Sequence, residues 1–84
     1  MDDLRRRFEQ LEKQIPNIKN RQARRELTMM LKSASVAVTR VDQELVECRR
    51  LQRSTVKYQD LVTEADKVLN FVEQHLTFAA LLNG

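Results

Sequence analysis

The residues able to do acid–base, nucleophilic or metal chemistry are few in this chain of 84 residues. His75 is the only histidine and Cys48 the only cysteine, so neither has a second nitrogen or sulfur ligand at a metal-binding spacing. The carboxylate pair Asp42/Glu44 is expected on an outward, solvated helix face, whereas acid–base catalysis needs carboxyls that converge in a cleft. The sequence therefore predicts a protein that is not an enzyme and binds no metal or cofactor.

Basic side chains are the second group with possible chemistry. The net charge is +3, but residues 1–57 hold 14 basic and 8 acidic groups, and residues 58–84 hold 1 basic and 4 acidic groups. Such basic clusters can bind an acidic protein surface or a phosphate backbone, and no aromatic residue is interleaved with them for base stacking, which makes nucleic acid an unlikely partner. The candidate docking surface consists of Arg21, Arg24, Arg25, Arg49, Arg50 and Arg53.

The elements that position these residues are predicted to be helices within a single domain spanning residues 1–84. The chain has one Gly, Gly84, and one Pro, Pro16, so the turn residues that β-sheet folds require are missing. A single cysteine, with no signal-like run, predicts an intracellular location, in the cytoplasm or nucleus. The most apolar stretch, 68–82, is too short and too polar to span a bilayer.

A short helix is expected over about residues 2–15. Four apolar side chains at alternating spacings of four and three share one of its faces: Leu4, Phe8, Leu11 and Ile15. Pro16 should end or kink this helix, because it removes a backbone donor and disfavours a helical Ile15. Ile18 continues the apolar rhythm, which suggests that the chain kinks here without reversing. Asn17 or Asn20 can cap the next helix.

Two long helices are expected over about residues 18–52 and 54–82. Apolar stripes mark both, separated by the polar run Gln52-Arg53-Ser54-Thr55, where Ser54 or Thr55 can cap a new helix. This pattern favours an all-α helical hairpin or three-helix bundle. The alternative is one unbroken helix over 18–82, about 95 Å long, in a coiled-coil oligomer. The absence of glycine at the break argues for that alternative, and the width of the stripes argues against it.

The stretch 68–82 carries more apolar surface than one helix face can bury. Beside the stripe that ends in Val72, Leu76 and Ala79 runs a second one, formed by residues 71, 75, 78 and 82. Either the first helix covers this second stripe, or the stripe meets a partner. The first helix is about 20 Å long and the last about 40 Å, so it cannot cover everything.

These observations predict a non-catalytic helical protein–protein interaction or assembly module. Its partner would be a second copy of the chain, another helical protein, or both. The expected interface consists of Val68, Phe71, Val72, His75, Phe78, Leu81 and Leu82. The alternative function is binding of nucleic acid or an acidic surface through the basic clusters.

Overall fold

A computed structural model describes residues 2–83 and contains three α-helices, which are α1 (Asp2–Gln14), α2 (Arg21–Leu51) and α3 (Val56–Asn83). A single turn of 3₁₀ helix, Ile15–Asn17, follows α1. The predicted all-helical fold is confirmed. The alternative of one unbroken helix over 18–82 is wrong, because the chain leaves helical geometry between α2 and α3.

The connection from α1 to α2 follows the capping chemistry of its residues. Pro16 sits in the 3₁₀ turn, and Ile18 is extended, so α2 starts at Arg21 rather than at about 18. Asn20 is the N-cap of α2, and its side-chain oxygen accepts a hydrogen bond from the Ala23 N–H at 3.0 Å. The prediction that Asn17 or Asn20 caps this helix is therefore confirmed for Asn20.

The chain reverses between α1 and α2. Arg5, near the start of α1, pairs with Asp42 in the second half of α2, whereas Ile15 and Pro16 lie beside Thr28 in its first half. The two helices are therefore antiparallel, and the expectation of a kink without reversal is wrong. Residues 18–20 have no helical hydrogen bonding, which gives the chain room to turn back.

The turn between α2 and α3 is made without glycine. Gln52 adopts the left-handed conformation, with φ 52° and ψ 42°, and the Gln52 and Arg53 N–H groups donate to the Cys48 carbonyl. This arrangement is a Schellman-type C-cap, a position where glycine is usual because it has no Cβ. Ser54 Oγ then accepts a hydrogen bond from the Val56 N–H at 3.3 Å, which begins α3 two residues later than predicted.

The core is a continuous apolar layer between α2 and α3, and α1 covers one side of it. The predicted stripes supply it, and Val41, Leu69 and Val72 are the largest side chains that are fully buried. The two long helices are antiparallel, since Leu27 of α2 lines the same groove as Ala79 of α3. The buried apolar cluster comprises Leu4, Leu11, Ile15, Ile18, Leu27, Ala34, Val38, Val41, Ala65, Leu69, Val72, Leu76 and Ala79.

Arg7 fixes which side of α3 the first helix covers. Its guanidinium donates to Asp66 at 2.6 Å, to Asn70 at 2.7 Å and to both Glu73 oxygens at 2.7 and 3.2 Å. Hydrogen bonding to Glu73 is the main cause that raises the pKa of Arg7 above its ordinary value. Because the three acceptors lie on successive turns of α3, α1 is held against that face.

Replacing Gln52 by Gly should stabilise the fold by about 0.5–1 kcal/mol, because a left-handed conformation strains any residue with a Cβ. Chemical denaturation followed by circular dichroism measures the change. Gln43→Gly is the matched control, since residue 43 is an exposed position inside α2. It should destabilise by about 1 kcal/mol. A destabilised Gln52→Gly variant would contradict the geometry of this turn.

Arg7→Met should lower the unfolding free energy by about 1–2 kcal/mol, because it leaves the carboxylates of Asp66 and Glu73 without their cation at a partly exposed site. Arg6→Met removes the same charge from the neighbouring residue, which is exposed. Its effect should stay within about 0.5 kcal/mol in the same denaturation experiment. Equal losses for the two variants would show that Arg7 acts only through net charge.

Candidate interaction surfaces

The side chains with catalytic or ligand potential do not gather into a reactive centre in the part of the chain that the structure describes. No group of three or more His, Cys, Asp and Glu residues is placed there to hold a metal ion. Nor does any helix of residues 2–83 have the length and apolar content needed to cross a membrane. The remaining candidates are surfaces for contact with other molecules.

The C-terminal apolar face is formed by Phe71, Phe78, Leu81 and Leu82 of α3. These four side chains are 54%, 65%, 75% and 72% exposed. His75 lies beside them, with its ring centroid 4.3 Å from that of Phe71 and its Nδ1 3.0 Å from the Phe71 carbonyl oxygen. The imidazole is therefore held against the Phe71 ring at the edge of the apolar face.

The position of α1 explains why this face is open. Through Arg7, α1 is bound to the side of α3 that carries Asp66, Asn70 and Glu73, and α2 covers the side that carries Leu69 and Leu76. None of the described helices covers the remaining side of α3, where Phe71, Phe78, Leu81 and Leu82 are each more than half exposed. The second apolar stripe is therefore not covered by α1.

The structure divides the seven residues predicted for this interface. Phe71, His75, Phe78, Leu81 and Leu82 share the exposed side of α3. Val72 is fully buried in the core, and Val68 is half-buried against it, so Val72 is not available to a partner. Val72 belongs to the first stripe, with Leu76 and Ala79, and 100° of helix rotation separates its side chain from that of Phe71.

A groove extends the C-terminal apolar face toward the start of α2. Its apolar walls are Ala23, Leu27 and Met30 of α2 together with Phe78 and Leu82 of α3. The groove lies at the end of the molecule opposite the α2–α3 turn. A side chain from a docked molecule could therefore insert between the two long helices at this end.

The six arginines of the predicted basic surface fall into two separate groups. Arg21, Arg24 and Arg25 lie in the first two turns of α2, and the other three lie at or just beyond its far end, about 40 Å away. At that far end Arg50 pairs with Glu47 at 3.2 Å and Arg53 with Glu44 at 2.9 Å. The six residues thus do not form one continuous patch.

Glu44 was expected on an outward face, and this expectation is wrong. Its side chain is only 8% exposed and lies within ion-pair distance of Arg53 at 2.9 Å and Lys57 at 3.9 Å. The Cys48 thiol donates to the same carboxylate at 3.3 Å. No pattern of neighbouring residues indicates this cluster, because Arg53 and Lys57 approach Glu44 only where the chain reverses.

Cys48 lies on the buried side of α2. Burial is the main cause that raises the pKa of its thiol, and the neighbouring Glu44 carboxylate raises it further. Since the thiolate is the reactive form, two factors protect this cysteine from thiol reagents: reagents have little access to it, and it stays protonated.

No known family model matches the chain, and comparison with curated proteins and with solved structures finds no match either. The surfaces described above are therefore interpreted from their own chemistry.

Native Cys48 should react with a thiol reagent such as Ellman's reagent at least tenfold more slowly than it does in the guanidinium-unfolded chain, because it is buried and protonated. The control is Leu51→Cys in a Cys48→Ala background, which places a thiol at a half-exposed position one turn away. That thiol should react at nearly the unfolded rate. Equal native rates at the two positions would contradict the placement of Cys48.

Proposed function

We propose that this protein is a non-catalytic helical interaction module that associates with a second copy of itself through the C-terminal apolar face. The observation that supports this proposal is the exposure of four large apolar side chains within the twelve residues from 71 to 82. A contiguous apolar patch of this kind, on a protein whose core is already filled, is typical of an interaction surface.

The area of the face suits a modest self-association. With about 150–250 Å² for a large side chain, the four exposed side chains offer roughly 400–600 Å² per copy. Two copies would bury about 1,000 Å² in total, near the lower bound for a specific interface. The groove beside Phe78 and Leu82 increases this area if a side chain of the second copy inserts there.

The charge distribution also favours a second copy. Residues 68–82 contain no Lys or Arg and a single carboxylate, Glu73, which is already bonded to Arg7. Two such faces can therefore meet without like-charge repulsion, although each chain is basic overall. The four-three spacing of residues 71, 75, 78 and 82 is the one that lets two helices interdigitate along their length.

Another helical protein with an apolar stripe could use the same face, in which case the module would bring two different chains together. The buried free thiol of Cys48 suits a reducing compartment, the cytoplasm or the nucleus.

Serine at both Phe71 and Phe78 should convert an oligomer into a monomer, since the change removes two aromatic anchors from the face. Light scattering coupled to size-exclusion chromatography, repeated over a range of protein concentrations, measures the mass. Helical content should stay unchanged, because both side chains are exposed in the single chain.

The matched control is Met29→Ser with Val36→Ser. These side chains are 65% and 53% exposed, almost the same as Phe78 and Phe71, but they lie on α2. The control should keep the mass of the unaltered protein. A folded monomer at every concentration before any change would refute self-association, and loss of the oligomer in the control would refute the assignment of the face.

A further inference from the structure

A basic groove lies between the 3₁₀ turn and the first half of α2. Its charged wall consists of Arg21, Arg24, Arg25 and Lys32, and its surface includes Pro16 and Met29. None of the Asp and Glu side chains that the structure describes lines it. It shares no lining residue with the C-terminal apolar face or with the groove beside that face. We infer that this basic groove docks an acidic, amphipathic segment of a partner protein.

The cations of the basic groove differ in their use from those that hold the helices together. Arg5, Arg7, Arg50 and Arg53 each pair with a carboxylate of the chain. Within residues 3–82, no carboxylate lies within ion-pair distance of the four cations of the groove, and Arg24 donates only to the Ile18 carbonyl. These charges therefore do not contribute to the fold through ion pairs and are available to an anion.

The position of these arginines works against the helix that carries them. Arg21, Arg24 and Arg25 occupy the positive end of the α2 dipole, and the first turn of α2 contains no acidic residue. A cation at this end of a helix is unfavourable, most of all in the first turn, whereas Arg49 and Arg50 at the other end of the same helix are favourable. Charges that weaken local structure without internal compensation are typical of functional positions, and a bound carboxylate would offset the cost.

The groove also has an apolar component, which decides the class of partner. Met29 is 65% exposed and lies among the cations, and Pro16 is exposed beside it. No aromatic side chain lines the groove, so bases would have nothing on which to stack. A segment with carboxylates on one side and an apolar side chain beside them matches both components, whereas a phosphate backbone matches only the charge.

The spacing of the cations fits a helical segment. Arg21, Arg25 and Lys32 are separated by four and seven residues, so they form one row along α2 about 16 Å long. An acidic helix of three turns presents carboxylates over the same length, with room for an apolar contact at Met29. The ligand is therefore identified as an acidic amphipathic helix with at least one large aliphatic anchor.

The test measures fluorescence anisotropy of labelled probes at about 150 mM salt, where weak unspecific charge attraction is screened. The main probe is a synthetic peptide of about five helical turns with Glu on one face and Leu beside it. One control peptide replaces Leu by Ser, and another replaces Glu by Gln. A single-stranded RNA and a DNA duplex of similar length complete the set.

The variant Arg25→Ala with Lys32→Ala should weaken binding of the Glu/Leu peptide at least tenfold. Arg40→Ala with Arg49→Ala removes the same charge from exposed positions outside the groove and should change binding less than threefold. The Leu peptide should bind at least fivefold more tightly than the Ser peptide, and Met29→Ser should abolish that preference. The same results are expected in the Phe71→Ser/Phe78→Ser background, because the basic groove is independent of self-association.

Several outcomes would overturn the inference. They are no binding of the Glu/Leu peptide, equal losses for the two charge-matched pairs, and equal affinity for the Leu and Ser peptides. Tighter binding of RNA or DNA than of the peptide, with loss on Arg25→Ala/Lys32→Ala, would assign the groove to nucleic acid instead.

Discussion

The reversal of the chain at Gln52 is the constraint on which the rest of the structure depends. Without it, the stripes of α2 and α3 would lie along one helix of roughly 95 Å, and other chains would have to cover them. Two features hold the reversal in place without glycine. The first is the pair of N–H groups donated to the Cys48 carbonyl, and the second is the buried Glu44 carboxylate. Arg53 lies within the turn and Lys57 at the start of α3, so their ion pairs with Glu44 hold both against α2 and offset the cost of burying its charge.

The features that could be predicted from the sequence are those that depend on neighbours along the chain. The spacing of apolar residues predicts the three helices and the core positions of α2 and α3. The polar run at 52–55 predicts the break between the long helices, and Asn20 is one of two residues predicted to cap α2. Each of these depends on residues no more than seven positions apart, so periodicity and capping chemistry are enough to find them.

The features that could not be predicted depend on pairs far apart in sequence. The partners of Arg7 are 59 to 66 residues away, so the sequence does not indicate which side of α3 is covered by α1. The limited length of α1 indicates only that some apolar surface of α3 remains open. Glu44 was assigned to solvent because its cations approach it only in the hairpin. The reversal after Pro16 was missed for a related reason, since the apolar rhythm at Ile18 continues whether the chain turns or not.

Charged residues in this protein divide into two groups. Those in the first group stabilise the fold, and those in the second are available to bind a partner. The first group, which includes Arg7 and Arg53, is paired with carboxylates and fixes how the helices sit against each other. The other, at the start of α2, has no such partner within the described residues and slightly weakens its own helix. A similar division applies to the apolar side chains of α3, where Leu69 is committed to the core and Phe78 is exposed.

The turn between α2 and α3 has a consequence for how the fold could be rewired. Every residue from 51 to 57 is exposed, so none of them contributes to the apolar core between the helices that they join. Extra residues after Ser54 would add mainly loop-closure entropy, about 0.6 kcal/mol for each doubling of loop length. The apolar layer would still set the register of the two arms. The turn is thus a natural insertion point, where a tag, a sensor domain or a second binding loop can be displayed at the end opposite the C-terminal apolar face.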